Sequence, residues 1–154
     1  MRTTLCLFCV WLLAAPAFAE PSVEQLQTRA SEGDAWAQLN LGAAYDHGMS
    51  GLAADPLKAV YWYRRAAEQG VDKAQFNLAH CLATGHGASQ DYAEARTWMQ
   101  RAAEQGMVDA QFLMGVMLVE GLGGEADGEQ GLAWLQRAAR GGNPDAASYL
   151  QNLQ

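Results

Sequence analysis

A period of thirty-six residues constrains this chain more than any other feature. YWYRRAAEQG, from Tyr61 to Gly70, returns as TWMQRAAEQG from Thr97 to Gly106 and, more loosely, as AWLQRAARGG from Ala133 to Gly142. Gly33, Gly70, Gly106 and Gly142 serve as origins, 37, 36 and 36 residues apart. Four residues after each comes alanine: Ala37, Ala74, Ala110 and Ala146. Eight after stand Leu41, Leu78, Met114 and Leu150, and nine after the residue is small in three copies, Gly42, Ala79 and Gly115. Steps of four and four describe one face of a helix, and the glycines at Gly48, Gly85 and Gly121 mark its end.

The second half of each unit reads as another helix. It opens on Asp55-Pro56, on Asp91 with Glu94 and on Asp127 with Gln130, an N-cap followed by proline in the first turn or by a capping-box partner. Ala59/Trp62/Ala66, Ala95/Trp98/Ala102 and Gly131/Trp134/Ala138 keep the spacing of one buried face. The three tryptophans are expected to plug the space between helices. Gly70, Gly106 and Gly141–Gly142 then stop the helix in the manner of left-handed C-caps. Each unit is therefore a helix–turn–helix. A single such pair cannot bury its own apolar face, so units at this period stack into an all-α solenoid. The expected division is a capping helix in 20–32, units at 33–69, 70–105 and 106–141, and a partial unit at 142–154.

The first residues follow a different logic. MRTTLCLFCVWLLAAPAFAE offers one cation (Arg2), an apolar run from Leu5 to Ala15 and then Ala17-Phe18-Ala19. That is the pattern of a secretory signal peptide over 1–19, cleaved after Ala19, and it predicts a periplasmic or secreted protein. Cleavage removes Arg2, Cys6 and Cys9, shifting the net charge from −7 to −8 and leaving Cys81 alone. A lone cysteine forms no internal disulfide, and Cys81, set in the apolar stretch NLAHCLATG, reads as a small buried hydrophobe. The acidic balance and the lack of a basic stripe argue against nucleic acid and anionic membranes as partners. No stable membrane insertion is expected once the signal is removed.

The pattern Ala-x3-Leu-Gly-x2-Tyr-x2-Gly, followed by Asp-x3-Ala-x2-Trp-x3-Ala-Ala-x2-Gly, resembles the Sel-one-like repeat, a relative of the tetratricopeptide repeat, from residue 33 to 154. The resemblance implies a right-handed α/α solenoid of tetratricopeptide-like helix–turn–helix repeats. It also implies an adaptor that assembles other proteins, often in bacterial envelopes. Some members are cysteine-rich, with one disulfide per repeat, and have penicillin-binding and β-lactamase activities attributed to them. This chain lacks those cysteine pairs, so a β-lactamase-like hydrolase is the least favoured reading.

Positions that hold the fold repeat between units, whereas positions that face a partner are free to vary. Three, ten and fourteen residues past the origin glycine the units differ: Trp36, Ala43, His47; Lys73, His80, Thr84; Asp109, Val116, Glu120. These positions share a stripe on the first helix, and in tetratricopeptide-like stacks that stripe lines the concave groove. Leu39, Phe76 and Phe112 lie beside it, as either groove floor or core. Trp36 is the expected binding anchor, unless the N-terminal helix covers it. The loop GMSGLAAD is expected to expose Met49 and Leu52, and EGLGGEADGE reads as a solvated acidic loop.

Catalytic machinery is not legible. GLGGEA fits a dinucleotide motif by letters but follows a helix in a chain with no βαβ unit. His80 and Cys81 are adjacent on a helix and point about 100° apart, so with His86 and His47 they make a poor metal set. The expectation is a non-catalytic protein-binding module without cofactor or metal. It acts as an envelope adaptor or regulator; alternatively, it is a periplasmic immunity protein that neutralises a secreted toxin or effector.

Overall fold

The computed structural model describes residues 22–152; the expected signal peptide and residues 153–154 lie outside them. Eight helices follow in order: α1 (Val23–Ser31), α2 (Ala35–His47), α3 (Pro56–Glu68), α4 (Asp72–Thr84), α5 (Tyr92–Glu104), α6 (Val108–Glu120), α7 (Gly128–Arg140) and α8 (Pro144–Asn152). Among the described residues there is no strand. Each helix packs on its neighbours in sequence, most extensively within the pairs α2–α3, α4–α5 and α6–α7. These pairs are the units, so α1 is a lone second helix and α8 a lone first helix.

Small residues set how closely the two helices of a unit cross. A Cβ on Gly115 would lie 2.9 Å from the carbonyl oxygen of Gly131, and one on Gly42 would lie 2.7 Å from the Tyr63 ring. The space filled between helices is correspondingly thin, and alanine supplies much of it. Ala59, Ala66, Ala74, Ala95, Ala102 and Ala110 are fully buried with Leu78 and Met114 in the central core. A smaller cluster of Leu26, Ala30, Ala37 and Leu41 joins α1 to α2.

The turns between units are built alike. Gly70 (φ +89°), Gly106 (φ +94°) and Gly142 (φ +93°) take the left-handed conformation. The amide of the following residue then donates five back, Val71 to Ala66, Met107 to Ala102 and Asn143 to Ala138, which is the Schellman geometry. A buried glutamine from the next helix closes the same turn. Gln38 Nε2 donates to Ala30 O (3.0 Å), Gln75 to Ala67 O (3.2 Å) and Gln111 to Ala103 O (3.2 Å). These carbonyls belong to the last turn of a helix and also accept from the amides of Gly33 (3.2 Å), Gly70 (3.0 Å) and Gly106 (3.0 Å), so the glutamine is a second donor. Gln69 in turn donates to Gln38 Oε1 (2.7 Å) and Gln105 to Gln75 Oε1 (2.8 Å), linking one turn to the next.

The outer and inner first helices begin differently. Asp34 caps α2 through Ala37 N (2.9 Å), and Asn143 caps α8 through Ala146 N (2.8 Å). At the matching places before α4 and α6 stand Val71 and Met107, with no side-chain cap, and both pack against the central core. The outer face of α1 is polar. Ser22, Gln25 and Arg29 occupy the register of Ala59, Trp62 and Ala66, and Ser22 and Gln25 form a reciprocal capping box.

Three sequence expectations change in detail. Asp55, Asp91 and Asp127 cap their helices as expected, but the capping box is not completed at Asp91 and Asp127. Their own amides instead donate to Leu82 O and Leu118 O of the preceding helix, at 2.9 Å each. Glu94 is thereby free to pair with Arg64 of α3 and to accept from Trp98 Nε1 at 3.1 Å. Of the three plugging tryptophans only Trp98 is buried, at 7% exposed; Trp62 and Trp134 are partly open. Met49 is exposed as expected, but Leu52 folds against the α1–α2 cluster.

The glutamine closure predicts that Gln75→Met, close in shape but without the amide, removes one bond to the Ala67 carbonyl and one from the Gln105 side chain, leaving the Gly70 amide on the first and Gly70 O for the second. A loss of about 0.5–1.5 kcal/mol in urea unfolding is expected; an unchanged midpoint would remove the bond from any stabilising role. The ion pair predicts a pH signature. The Arg64 hydrogen bond, with further help from Trp98, holds the Glu94 carboxyl below its ordinary value of 4.5. A carboxylate depressed on folding adds stability above its unfolded pKa and loses it as pH falls through the folded one. Glu94→Gln should therefore lower the melting temperature at neutral pH, with the gap to the parent narrowing as pH drops below about 4.5.

Candidate functional site

The first helices α2, α4 and α6 bury the positions four, five, eight, nine and eleven residues past the origin glycine. Most of the stripe singled out by its variability remains outward, with Ala43 and Val116 partly buried. Trp36 is 50% exposed, with the Arg29 guanidinium of α1 lying 5.4 Å over its ring. The N-terminal helix thus flanks this tryptophan rather than covering it. Lys73, His80, His47 and Asp109 are exposed, whereas Val116 is partly buried. Asp109 accepts from Asn143 Nδ2 at 2.9 Å, which ties it to the start of α8.

Leu39, Phe76 and Phe112 are neither fully core nor fully surface. All three are partly buried, and Leu39 and Phe76 pack on the central core. Each keeps an edge beside the stripe, which gives it an apolar margin. Along the three-residue row the chemistry changes from Trp36 through Lys73 to Asp109, with Asp145 following on α8. Cationic and aromatic groups stand at the N-terminal end and carboxylates at the other.

The histidines and the cysteine do not converge. His80 faces outward, while Cys81 is buried, its thiol pushed up to about 11 by desolvation and by the nearby Asp46 charge. That shift disfavours a reactive thiolate. His86 leaves the helix altogether and its Nε2 meets Asp46 Oδ1 at 2.8 Å. Among the described residues no three His, Cys, Asp or Glu side chains are placed to hold a metal ion.

Sequence reasoning passed over the Asp46 constellation. Asp46 also accepts from the hydroxyl of Tyr63 at 3.3 Å, and Tyr63 is buried, its phenol pKa raised by desolvation and then by Asp46. These contacts pin the loop after α4 to the end of α2. A signal was present: Asp46 stands where later units carry Ala83 and Val119, and Tyr63 where they carry Met99 and Leu135. Two polar groups in apolar register suggest each other as partners.

The Sel1 repeat family model matches residues 37–71, 72–107 and 108–143. The structure is similar to a Sel1 repeat protein from Oxalobacter formigenes, with TM-score 0.75 and 34% identity over 84% of this chain and 96% of that one. It is also similar to a protective antigen present in uropathogenic Escherichia coli strains, with TM-score 0.82 and 34% identity over 84% of this chain but 28% of the antigen. By sequence it is 39% identical over 69 residues to chitin synthase regulatory factor 3 of Schizosaccharomyces pombe, of whose length this chain spans 7%. Repeats of this kind are scaffolds for protein–protein contact, and no helix among the described residues is long and apolar enough to cross a membrane. With three consecutive repeats matched and the helical solenoid shared, the chain belongs to the Sel1 repeat family.

Proposed function

We propose that this protein is an exported, non-catalytic adaptor that holds a segment of a partner protein on the face built by its first helices. The observation that carries the reading is the row Trp36, Lys73, Asp109: three residues in one register of a repeated scaffold, all exposed and all chemically different. A repeat conserves what holds it together, so divergence at matched surface positions is where recognition resides. The partner segment that fits carries acidic groups toward the Trp36–Lys73 end and basic groups toward Asp109. Leu39, Phe76 and Phe112 supply apolar edges between them. The regulatory role in the name of the fission-yeast relative supports an adaptor. A partner that proved to be a toxin silenced on binding would convert the adaptor into an immunity protein.

Trp36→Ala and Lys73→Glu should each weaken capture of the partner from the native envelope fraction while helicity by circular dichroism stays at the parent value. Equal capture by both variants would place recognition elsewhere. Export rests on Arg2, the apolar run and Ala17-Phe18-Ala19. It predicts a mature N-terminus at Glu20, read by N-terminal sequencing of the protein recovered from its native host; retained Met1 would rule out cleavage.

A further inference from the structure

The second helices carry a device of their own. Each tryptophan is followed three residues later by arginine, and the guanidinium lies over the indole: Arg65 on Trp62 at 5.9 Å, Arg101 on Trp98 at 4.4 Å and Arg137 on Trp134 at 5.3 Å. What differs is the lid. Between α3 and α5, Arg64 and Glu94 meet through both carboxylate oxygens, Glu94 accepts from Trp98 Nε1, and Trp98 is sealed.

One repeat further on, the matching residues are Gln100 and Gln130. They do not bridge the helices. Gln100 Nε2 turns to Glu104 on its own helix (2.7 Å), and the Gln130 side chain has no partner among the described residues. A groove of about 550 Å³ opens between α5 and α7, lined by Gln100, Glu104, Gln130, Trp134, Arg137 and Arg140. Arg140 stands where the earlier units carry Glu68 and Glu104. Four ion pairs form among the described residues, and neither Arg137 nor Arg140 takes part in any of them. A partly open indole beside two guanidinium groups that have no carboxylate partner is an unusual surface on a chain of net charge −7.

We propose that the groove between α5 and α7 docks an extended, acidic segment of a partner protein, separate from the segment held by the first helices. Charge complementarity selects the occupant. Side chains three apart on a helix sit about 5–6 Å from one another, while alternate side chains of an extended strand are about 6.6 Å apart on one face. Two carboxylates at alternate positions therefore reach Arg137 and Arg140, each able to form a forked pair with a guanidinium. An apolar side chain of the segment covers Trp134, and Gln100 and Gln130 offer amide donors and acceptors to its backbone. The site shares no residue with the first-helix stripe, so it does not depend on that assignment.

The test uses an array of decapeptides alternating glutamate with each apolar residue in turn, against the same array with lysine for glutamate. The purified protein should retain acidic peptides and not their lysine counterparts. Arg137→Glu and Arg140→Glu should each weaken retention about tenfold or more. The double variant Gln100→Arg/Gln130→Glu, which recreates the α3–α5 ion pair, should abolish retention with a melting temperature no lower than the parent. Trp36→Ala should leave retention unchanged. Failure to prefer acidic peptides, or retention by the closed double variant, would overturn the proposal. Loss of retention in Trp36→Ala would move the peptide to the other face and overturn it equally. A parent that sediments as a dimer and becomes a monomer when the groove is closed would make the occupant a second copy of this chain.

Discussion

The stack depends on what happens at the carbonyl three residues before each origin glycine. There a helix ends, with the carbonyl held by the amide of the origin glycine, and the chain reverses into the next helix. Gln38, Gln75 and Gln111 each place an amide on that carbonyl from five residues past the glycine. One bond thereby satisfies the buried glutamine amide and ties two successive helices together. The close glycine crossings set the other spacing of the stack, within the units, where Gly42 meets Tyr63 and Gly115 meets Gly131.

Much of this was legible as letters. The glycine origins, the aspartate caps and the alanine positions signalled two helices per unit because each acts within a few residues of itself. The glutamine closure was written just as plainly, three times in register, yet its role was not evident. A polar residue on an apolar face declares its meaning only when its acceptor, eight residues back around a turn, is in view. The tryptophans were legible as a set but not as individuals. Whether one is sealed depends on a pair such as Arg64 and Glu94, thirty residues apart in sequence. For the candidate binding stripe, sequence supplied the positions by their divergence, and the structure added which side chains are open and how Arg29 stands against Trp36.

The two families of helices divide the work. First helices present a row whose chemistry changes from unit to unit, set on an apolar margin. Second helices repeat a tryptophan–arginine pair that is sealed at Trp98 and partly open at Trp62 and Trp134. A scaffold built this way presents two faces with little shared chemistry.

The unequal beginnings of the first helices limit how freely such a chain can be rearranged. Units that look interchangeable on the page are not, because Asp34 and Asn143 stand at outer turns where Val71 and Met107 stand at inner ones. Shuffling the first and second units would carry the Asp34 carboxylate into the apolar setting that Val71 occupies, and would move an uncapped helix to the rim. Duplication can lengthen this protein from within, by copying the second unit with its valine or the third with its methionine. Recombination that moves a terminal unit inward has to change that one residue as well.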